Sequence, residues 1–279
     1  MDGIFYFCMF KIDVNKMMAI SDNLKTSDHE LILELTRMSA RDKAVVVGIY
    51  LSKFDKMALN EFDFSGFRQA YNVFGYSIGI VPKSIQNYRD EFDSIFPNNR
   101  KGWRNRKLRD YCGLILDKVN VLTFEDFSRI IRCFIDNKFI YNELESSFAK
   151  DAFSAQRLIT GKAAEEYFEM KCREIDVFNG FELNNTTNFG CGYDYRMTCN
   201  DEYYCVEVKG LNECFGSILM TQKEYDVAEV VGDRYCLFLV KNFKKTPEHQ
   251  LFFNPVRNKS LTLVRQEKMI KQVSYCSRV

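Results

Sequence analysis

The sequence predicts an α+β chain, with an all-α, helix-turn-helix-like first half followed by an α/β unit on a central mixed β-sheet. Three observations carry that expectation. Apolar side chains recur at helical spacing through much of residues 29–135. Residues 192–210 instead alternate with period two on either side of Asn200-Asp201, the mark of a β-hairpin. From residue 160 onward, helical and strand-like stretches follow one another. At 279 residues and 46% hydrophobic, the chain can bury a sizeable core. We divide it into residues 1–150, helical, and residues 151–279, α/β with a basic tail.

In chain order, residues 29–56 read as helical. Leu31, Leu33, Leu35 and Met38 precede the apolar run Ala44 to Leu51, and Ser27-Asp28 and Ser39 serve as N-caps. Phe67 to Phe74 is a further helix ending near Gly75. Ser84 then caps a helix carrying Ile85, Tyr88, Phe92 and Ile95, with Pro97 as its stop. Its polar face presents Lys83, Gln86, Asn87 and Arg89, the placement of a recognition helix in a helix-turn-helix. Residues 100–109 hold six basic residues and no acid: Arg100, Lys101, Arg104, Arg106, Lys107 and Arg109, around the single Trp103. Such a run suits phosphate contacts; the bland alternative is a solvated loop with Trp103 tucked into the core. Helical spacing resumes over 110–135, and 137–151 reads as a linker.

In the second half a helix opens at Thr160-Gly161 and runs to about Ile175. A polar loop covers Asn184 to Asn188, and the hairpin follows. Gly216 to Met220 reads as a short strand, Thr221 as the cap of a helix Gln222 to Val231, and Arg234 to Val240 as a buried strand. Leu251 to Phe253 offers one strand more. If the hairpin loop is two residues, or four, Cys199 faces Glu202 and Asp194 comes directly opposite Glu207. Alternation puts Lys209 on the face of Glu207, while Tyr204, Val206 and Val208 point into a core. Like charges facing each other across strands are destabilising, and the ordinary reason to tolerate them is a divalent cation.

Composition narrows the classes. Formal net charge is +1, but residues 151–240 carry 8 basic and 16 acidic groups and residues 241–279 carry 9 and 2. An acidic middle beside a basic tail suits a carboxylate metal site next to a polyanion surface. The ten cysteines include no Cys-x-x-Cys pair, and two histidines cannot complete a Cys/His zinc site. Several cysteines lie in apolar runs such as Tyr235 to Phe238 and read as small buried hydrophobes of a reducing, cytoplasmic protein. Met1 to Phe10 does not resemble a signal peptide, and no apolar run approaches the ~18–20 residues that span a bilayer. No Gly-x-x-x-x-Gly-Lys loop is present, so no nucleotide cofactor is expected. Gly48-Ile49-Tyr50 sits inside a helical run, which sets aside a GIY-type nuclease.

Asp194, twelve intervening residues, then Glu207-Val208-Lys209 resembles the signature of the PD-(D/E)xK nuclease superfamily, with Tyr193 where the family often has proline. Gly161-x-x-x-Glu165-Glu166, Gly192-Tyr193-Asp194, Thr221-Gln222-x-x-Tyr225-x-x-Ala228 and Asp233-Arg234-Tyr235 extend the resemblance over roughly residues 155–245. They are similar to an uncharacterised branch found at the C-terminus of restriction and phage-defence proteins. The resemblance implies a restriction-endonuclease-like fold and a Mg²⁺ site formed by Asp194, Glu207 and the Val208 carbonyl. It implies that Lys209 orients or deprotonates the attacking water and offsets developing charge. It also implies a helix carboxylate, Glu165 or Glu166, between which spacing does not choose. Gln222 would fix the lysine or a phosphate.

The function expected is therefore a Mg²⁺-dependent DNA endonuclease, restriction-like or phage-defence. It would act on double-stranded DNA as a homodimer, because one such site cuts one strand. Two rivals stand beside it: a catalytically silent nuclease-fold protein that binds DNA or acts as an adaptor, and a structure-specific repair or recombination nuclease. For Asp194, Glu207 and Lys209 the bland alternative is an exposed ion-pair ladder on a sheet. For Glu165 and Glu166 it is a first-turn position favoured by the helix dipole.

Overall fold

The computed structural model describes residues 34–35, 37–98, 100, 102, 106–135, 152–258 and 261–265, with backbone only for 152–155. Among these, five helices precede the sheet region: α1 (Ala40–Glu61), α2 (Phe67–Ser77), α3 (Pro82–Phe92), α4 (Asp110–Val119) and α5 (Phe124–Ile135). Helix α6 (Ala152–Lys171) leads into strands β1 (Glu182–Asn185), β2 (Tyr195–Cys199) and β3 (Glu202–Gly210). Helix α7 (Gln222–Val231) and strands β4 (Tyr235–Lys241) and β5 (Glu248–Phe253) complete the described elements. The mixed α+β architecture is the one predicted.

Ser39 caps α1 as its residue type predicts, its hydroxyl accepting the Asp42 N–H at 3.2 Å. The other predicted cap, Ser27-Asp28, lies outside the described residues. Helix α1 kinks at Asp55, whose φ of 47° is left-handed. A Cβ on Gly48 would stand 2.5 Å from the Tyr88 Cβ, so only glycine lets α1 and α3 cross this closely. Helix α2 runs through Gly75 to Ser77. Helix α3 starts at Pro82, not at Ser84, because the fixed φ of proline suits the first helical position. It ends at Phe92, short of Ile95 and Pro97.

Three elements of the second half differ from the sequence reading. Helix α6 begins well before Thr160, so Gly161, Glu165 and Glu166 lie in its interior rather than in its first turn. Strand β1 occupies part of the expected polar loop: Glu182-Leu183-Asn184-Asn185 has poor strand propensity, yet it pairs with the otherwise open edge of β2. Gly216 to Met220 is irregular rather than a strand.

The sheet order is β1-β2-β3-β4-β5, with β3 and β4 parallel and every other neighbour antiparallel. Helix α6 covers one face: Phe168 packs on Tyr195 at 5.0 Å and on Phe238 at 4.8 Å between ring centroids. A smaller apolar cluster of Cys205, Ala228 and Tyr235 seats α7 on the other face. Gly210 ends β3 directly beneath α6, and a Cβ there would meet the Thr160 carbonyl at 2.7 Å and the Ala164 Cβ at 3.1 Å. The main core is continuous from Leu35 in the helical half to Phe243 after β4. Asn72 of α2 strengthens the junction by donating to the carbonyls of Phe243 at 2.7 Å and Lys245 at 2.8 Å.

Candidate active site

The hairpin closes on two residues, with Asn200 at φ 50° and Cys199 paired to Glu202. Regular pairing continues to Tyr195 opposite Val206 and ends there. At Asp194 the ladder steps out of register: its N–H donates to the Val206 carbonyl at 3.0 Å, and its carbonyl accepts the Thr186 N–H at 2.8 Å. Its carboxylate turns onto β3, where Oδ2 accepts the Val208 N–H at 2.9 Å. The approach rests on Gly192, whose φ of 86° and close contact with Val227 of α7 exclude a side chain. The Tyr235 hydroxyl pins the same turn by donating to the Gly192 carbonyl at 3.0 Å.

Alternation along β3 sends Val206 and Val208 into the main core and Cys205, Glu207 and Lys209 toward α7. Glu207 is 4% exposed. Burial, then the charge of Asp194, pushes its carboxyl up to about 8, against the pull of Lys209. Asp194 is likewise raised by burial, partly offset by the Val208 N–H and Lys209. Lys209 Nζ lies 2.5 Å from Glu207 Oε1 and 2.9 Å from Glu224 Oε2. Burial alone lowers its pKa, but those two carboxylates outweigh burial and raise it, so Lys209 is an ammonium at neutral pH.

The tertiary structure separates Glu165 from Glu166. Burial raises the Glu165 carboxyl, Lys162 pulls it down and Asp194 pushes it up, which places Glu165 within electrostatic reach of the β2–β3 acids. Glu166 points toward the turn between α2 and α3, with Oε2 3.7 Å from where a Gly79 Cβ would sit. Lys162 binds both, 3.3 Å from Glu165 and 2.9 Å from Glu166, and its charge also reaches Asp194.

Gln222 donates to Asp226 Oδ1 at 2.6 Å. Glu224 holds the lysine in its place. Thr221-x-x-Glu224 is a capping box, with the Thr221 N–H on Glu224 Oε2 at 2.9 Å and the Glu224 N–H on the Thr221 hydroxyl at 3.3 Å. That box is legible in the sequence; the reach of its glutamate to Lys209 is not.

The basic residues expected to meet DNA divide. Lys83 is exposed, with Gln86 accepting from it at 3.0 Å, and Asn87 is half-buried beside them on α3. Arg106 is exposed, as is Lys107, which lies 3.8 Å from Asp110. Arg89 instead withdraws into the core: it is 6% exposed, donates to the Tyr71 hydroxyl and stacks 3.5 Å above the Phe67 ring centroid. Arg100 ties Asp93 at 2.6 Å to Asp55 at 2.7 Å, bracing the kink of α1. Lys101, Trp103 and Arg104 lie outside the described residues.

Among the described residues no group of three or more His, Cys, Asp or Glu side chains is arranged to hold a metal ion. The donors that do adjoin are two carboxylates, Asp194 and Glu207, with Val208 between Glu207 and Lys209 on β3. Magnesium takes one or two protein carboxylates and keeps several waters, so this donor set fits it and does not fit a softer ion wanting imidazole or thiolate.

Residues 161–253 match the family model "Protein NO VEIN, C-terminal". The matched segment runs from the middle of α6 through all five strands and α7. It contains Glu165, Asp194, Glu207, Lys209 and Glu224, and leaves out the helical half. No curated protein and no solved structure matches the chain. Among the described residues no helix is long and apolar enough to cross a membrane.

Proposed function

We propose that the segment from α6 to β5 is a Mg²⁺-dependent endodeoxyribonuclease centre of the PD-(D/E)xK type, restriction-like or phage-defence. In this reading the helical half selects double-stranded DNA, and the protein works as a cytoplasmic homodimer. The observation that carries the reading is the meeting of a buried carboxylate, Glu207, raised by burial and by the charge of Asp194, with the half-buried Asp194 carboxylate and the Lys209 ammonium beside a β-ribbon. A salt-bridge ladder on a solvated face gives no reason to bring two like-charged carboxylates together out of water, whereas a divalent cation offsets their repulsion.

Asp194, Glu207 and the Val208 carbonyl would hold the ion, which supplies Lewis-acid polarisation of the phosphoryl oxygen and stabilises the leaving oxygen. Lys209, kept protonated by its two carboxylates, orients the attacking water and offsets charge on the phosphorane rather than acting as a base. In this reading Glu165, with its carboxyl raised by burial and within reach of the Asp194 charge, accepts the proton of the water. Lys162 fixes Glu165 and adds a second positive charge to the site.

The test is cleavage of supercoiled plasmid with and without Mg²⁺ by the wild type, Glu207→Ala and Lys209→Ala. Loss of metal-dependent cleavage in both variants is expected, and cleavage persisting in both sinks the reading. A second reading, a silent nuclease fold that binds DNA, draws on one observation: Asp194 and Glu207 already have protein partners in Val208 and Lys209. It predicts salt-sensitive DNA binding without cleavage.

A further inference from the structure

Lys209 is shared by two carboxylates of different kinds. Glu207 is a β3 side chain whose oxygens the proposed metal would need, while Glu224 belongs to the first turn of α7 and has a separate structural task. One atom, Glu224 Oε2, accepts both the Thr221 N–H at 2.9 Å and the Lys209 ammonium at 2.9 Å. The second hydrogen bond of the box, from the Glu224 N–H to the Thr221 hydroxyl, fixes the carboxylate relative to the helix axis. Helix α7 is itself anchored to the sheet by Ala228 against Cys205 and Tyr235, and to the Asp194 turn by Val227 against Gly192. The carboxylate is therefore a rigid fixture of the fold rather than a loose surface partner, and its side chain is only 15% exposed.

We propose that Glu224 is a positioning residue: it retains the Lys209 ammonium at the end of β3, so that Glu207 is free to give its carboxylate to a divalent cation. With Glu224 present, the lysine that leaves Glu207 keeps a buried anionic partner. Without it, Glu207 is the one carboxylate hydrogen-bonded to Lys209 and the cation must compete with the ammonium for the same oxygens. The cation half of this inference rests on the metal site proposed above; the retention of Lys209 by Glu224 does not.

Two measurements test it with Glu224→Gln, whose amide oxygen can still accept the Thr221 N–H and preserve the box. The first uses no metal: acetylation of Lys209 by a water-soluble N-hydroxysuccinimide ester, read by peptide mass spectrometry. The Glu224→Gln variant is expected to label several-fold faster than wild type, while Thr221→Ala, which weakens the cap but leaves Glu224 and the Thr221 N–H, labels at the wild-type rate. Equal labelling of wild type and Glu224→Gln overturns the proposal, as does equally fast labelling of Glu224→Gln and Thr221→Ala. The second is Mg²⁺ affinity by calorimetry. Glu224→Gln is expected to weaken binding about tenfold, the effect of one lost charge-assisted hydrogen bond. In a Lys209→Met background the same substitution is expected to have a much smaller effect, through the Glu224 charge on Asp194 and Glu207. A full tenfold weakening that persists without Lys209 would make Glu224 a direct metal partner and overturn the positioning role. A wild type that binds no Mg²⁺ refutes the metal site instead, and the acetylation comparison then decides the role of Glu224 alone.

Discussion

The magnesium site proposed above predicts that a proton leaves the β2–β3 carboxylates when the ion binds. Burial and the charge of Asp194 push the Glu207 carboxyl up to about 8. The two acids titrate as a coupled pair, the charge of Asp194 raising the affinity of Glu207 for the proton. With the Glu207 carboxyl raised to about 8, most molecules carry the proton at pH 7, so binding there should release most of one proton. Apparent Mg²⁺ affinity then rises by about tenfold per pH unit below about 8 and flattens above it. Calorimetry at pH 7 in two buffers of different ionisation enthalpy counts the proton, and titrations at pH 6.5 and 8.5 measure the affinity change. Equal affinity at those two pH values, with no proton released at pH 7, would refute the argument that two desolvated carboxylates meet at one ion.

Further predictions follow from the same geometry. The Glu207 pKa is raised from 4.5 to about 8 on folding, so its contribution to stability is complete below the lower value and disappears as pH rises through the upper one. Metal-free wild type should therefore lose Tm between pH 5 and pH 9 relative to Glu207→Gln, as measured by differential scanning fluorimetry; parallel profiles would contradict the shift. Gly210→Ala should destabilise by ~1–3 kcal/mol in urea, because its methyl collides with the Thr160 carbonyl and forces α6 off β3. Arg109→Ala leaves Glu91, whose side chain is 3% exposed, with the backbone N–H of position 109 but without its cation; because the Arg109 side chain is 43% exposed, the cost should be ~1–3 kcal/mol of stability. With the helical half binding DNA as proposed, Lys83→Ala should reduce the slope of affinity against salt by about 1 without altering Tm. Arg89→Ala should lower Tm while leaving that slope unchanged, since its guanidinium lies against Phe67 and Tyr71 rather than in solvent.

Much of the second half was readable because its signals are local. The Asn200-Asp201 turn, the alternation of β3, the Thr221 cap and the apolar run of β4 each depend on neighbours a few residues away, and each appears where the sequence puts it. Strand β1 was missed because its residues are poor strand formers, stabilised by an edge supplied from another part of the chain. The start of α6 was misplaced because Thr160-Gly161 imitates a helix start; Gly161 instead sits inside the helix, where an added Cβ would touch nothing. On α3, Arg89 occupies a position that reads as polar in one dimension, but the helix turns it onto Phe67 and Tyr71, rings that only the packed helical half brings together.

By itself the sequence determined which strands form the ribbon, that Glu207 and Lys209 share a face, and that Thr221 begins a helix, because hydrogen-bond periodicity and capping are short-range. Only the tertiary structure decided that the charge of Asp194 bears on Glu165 while Glu166 lies near Gly79, that Glu224 rather than Gln222 holds the lysine, and that Asp194 leaves the ladder to cap Val208. Those choices depend on how α6 and α7 are rotated against opposite faces of the sheet. That rotation is set by the packing of Ala164, Phe168, Val227 and Ala228 and by the missing side chains at Gly192 and Gly210. Such long-range fits have no signature in residue spacing.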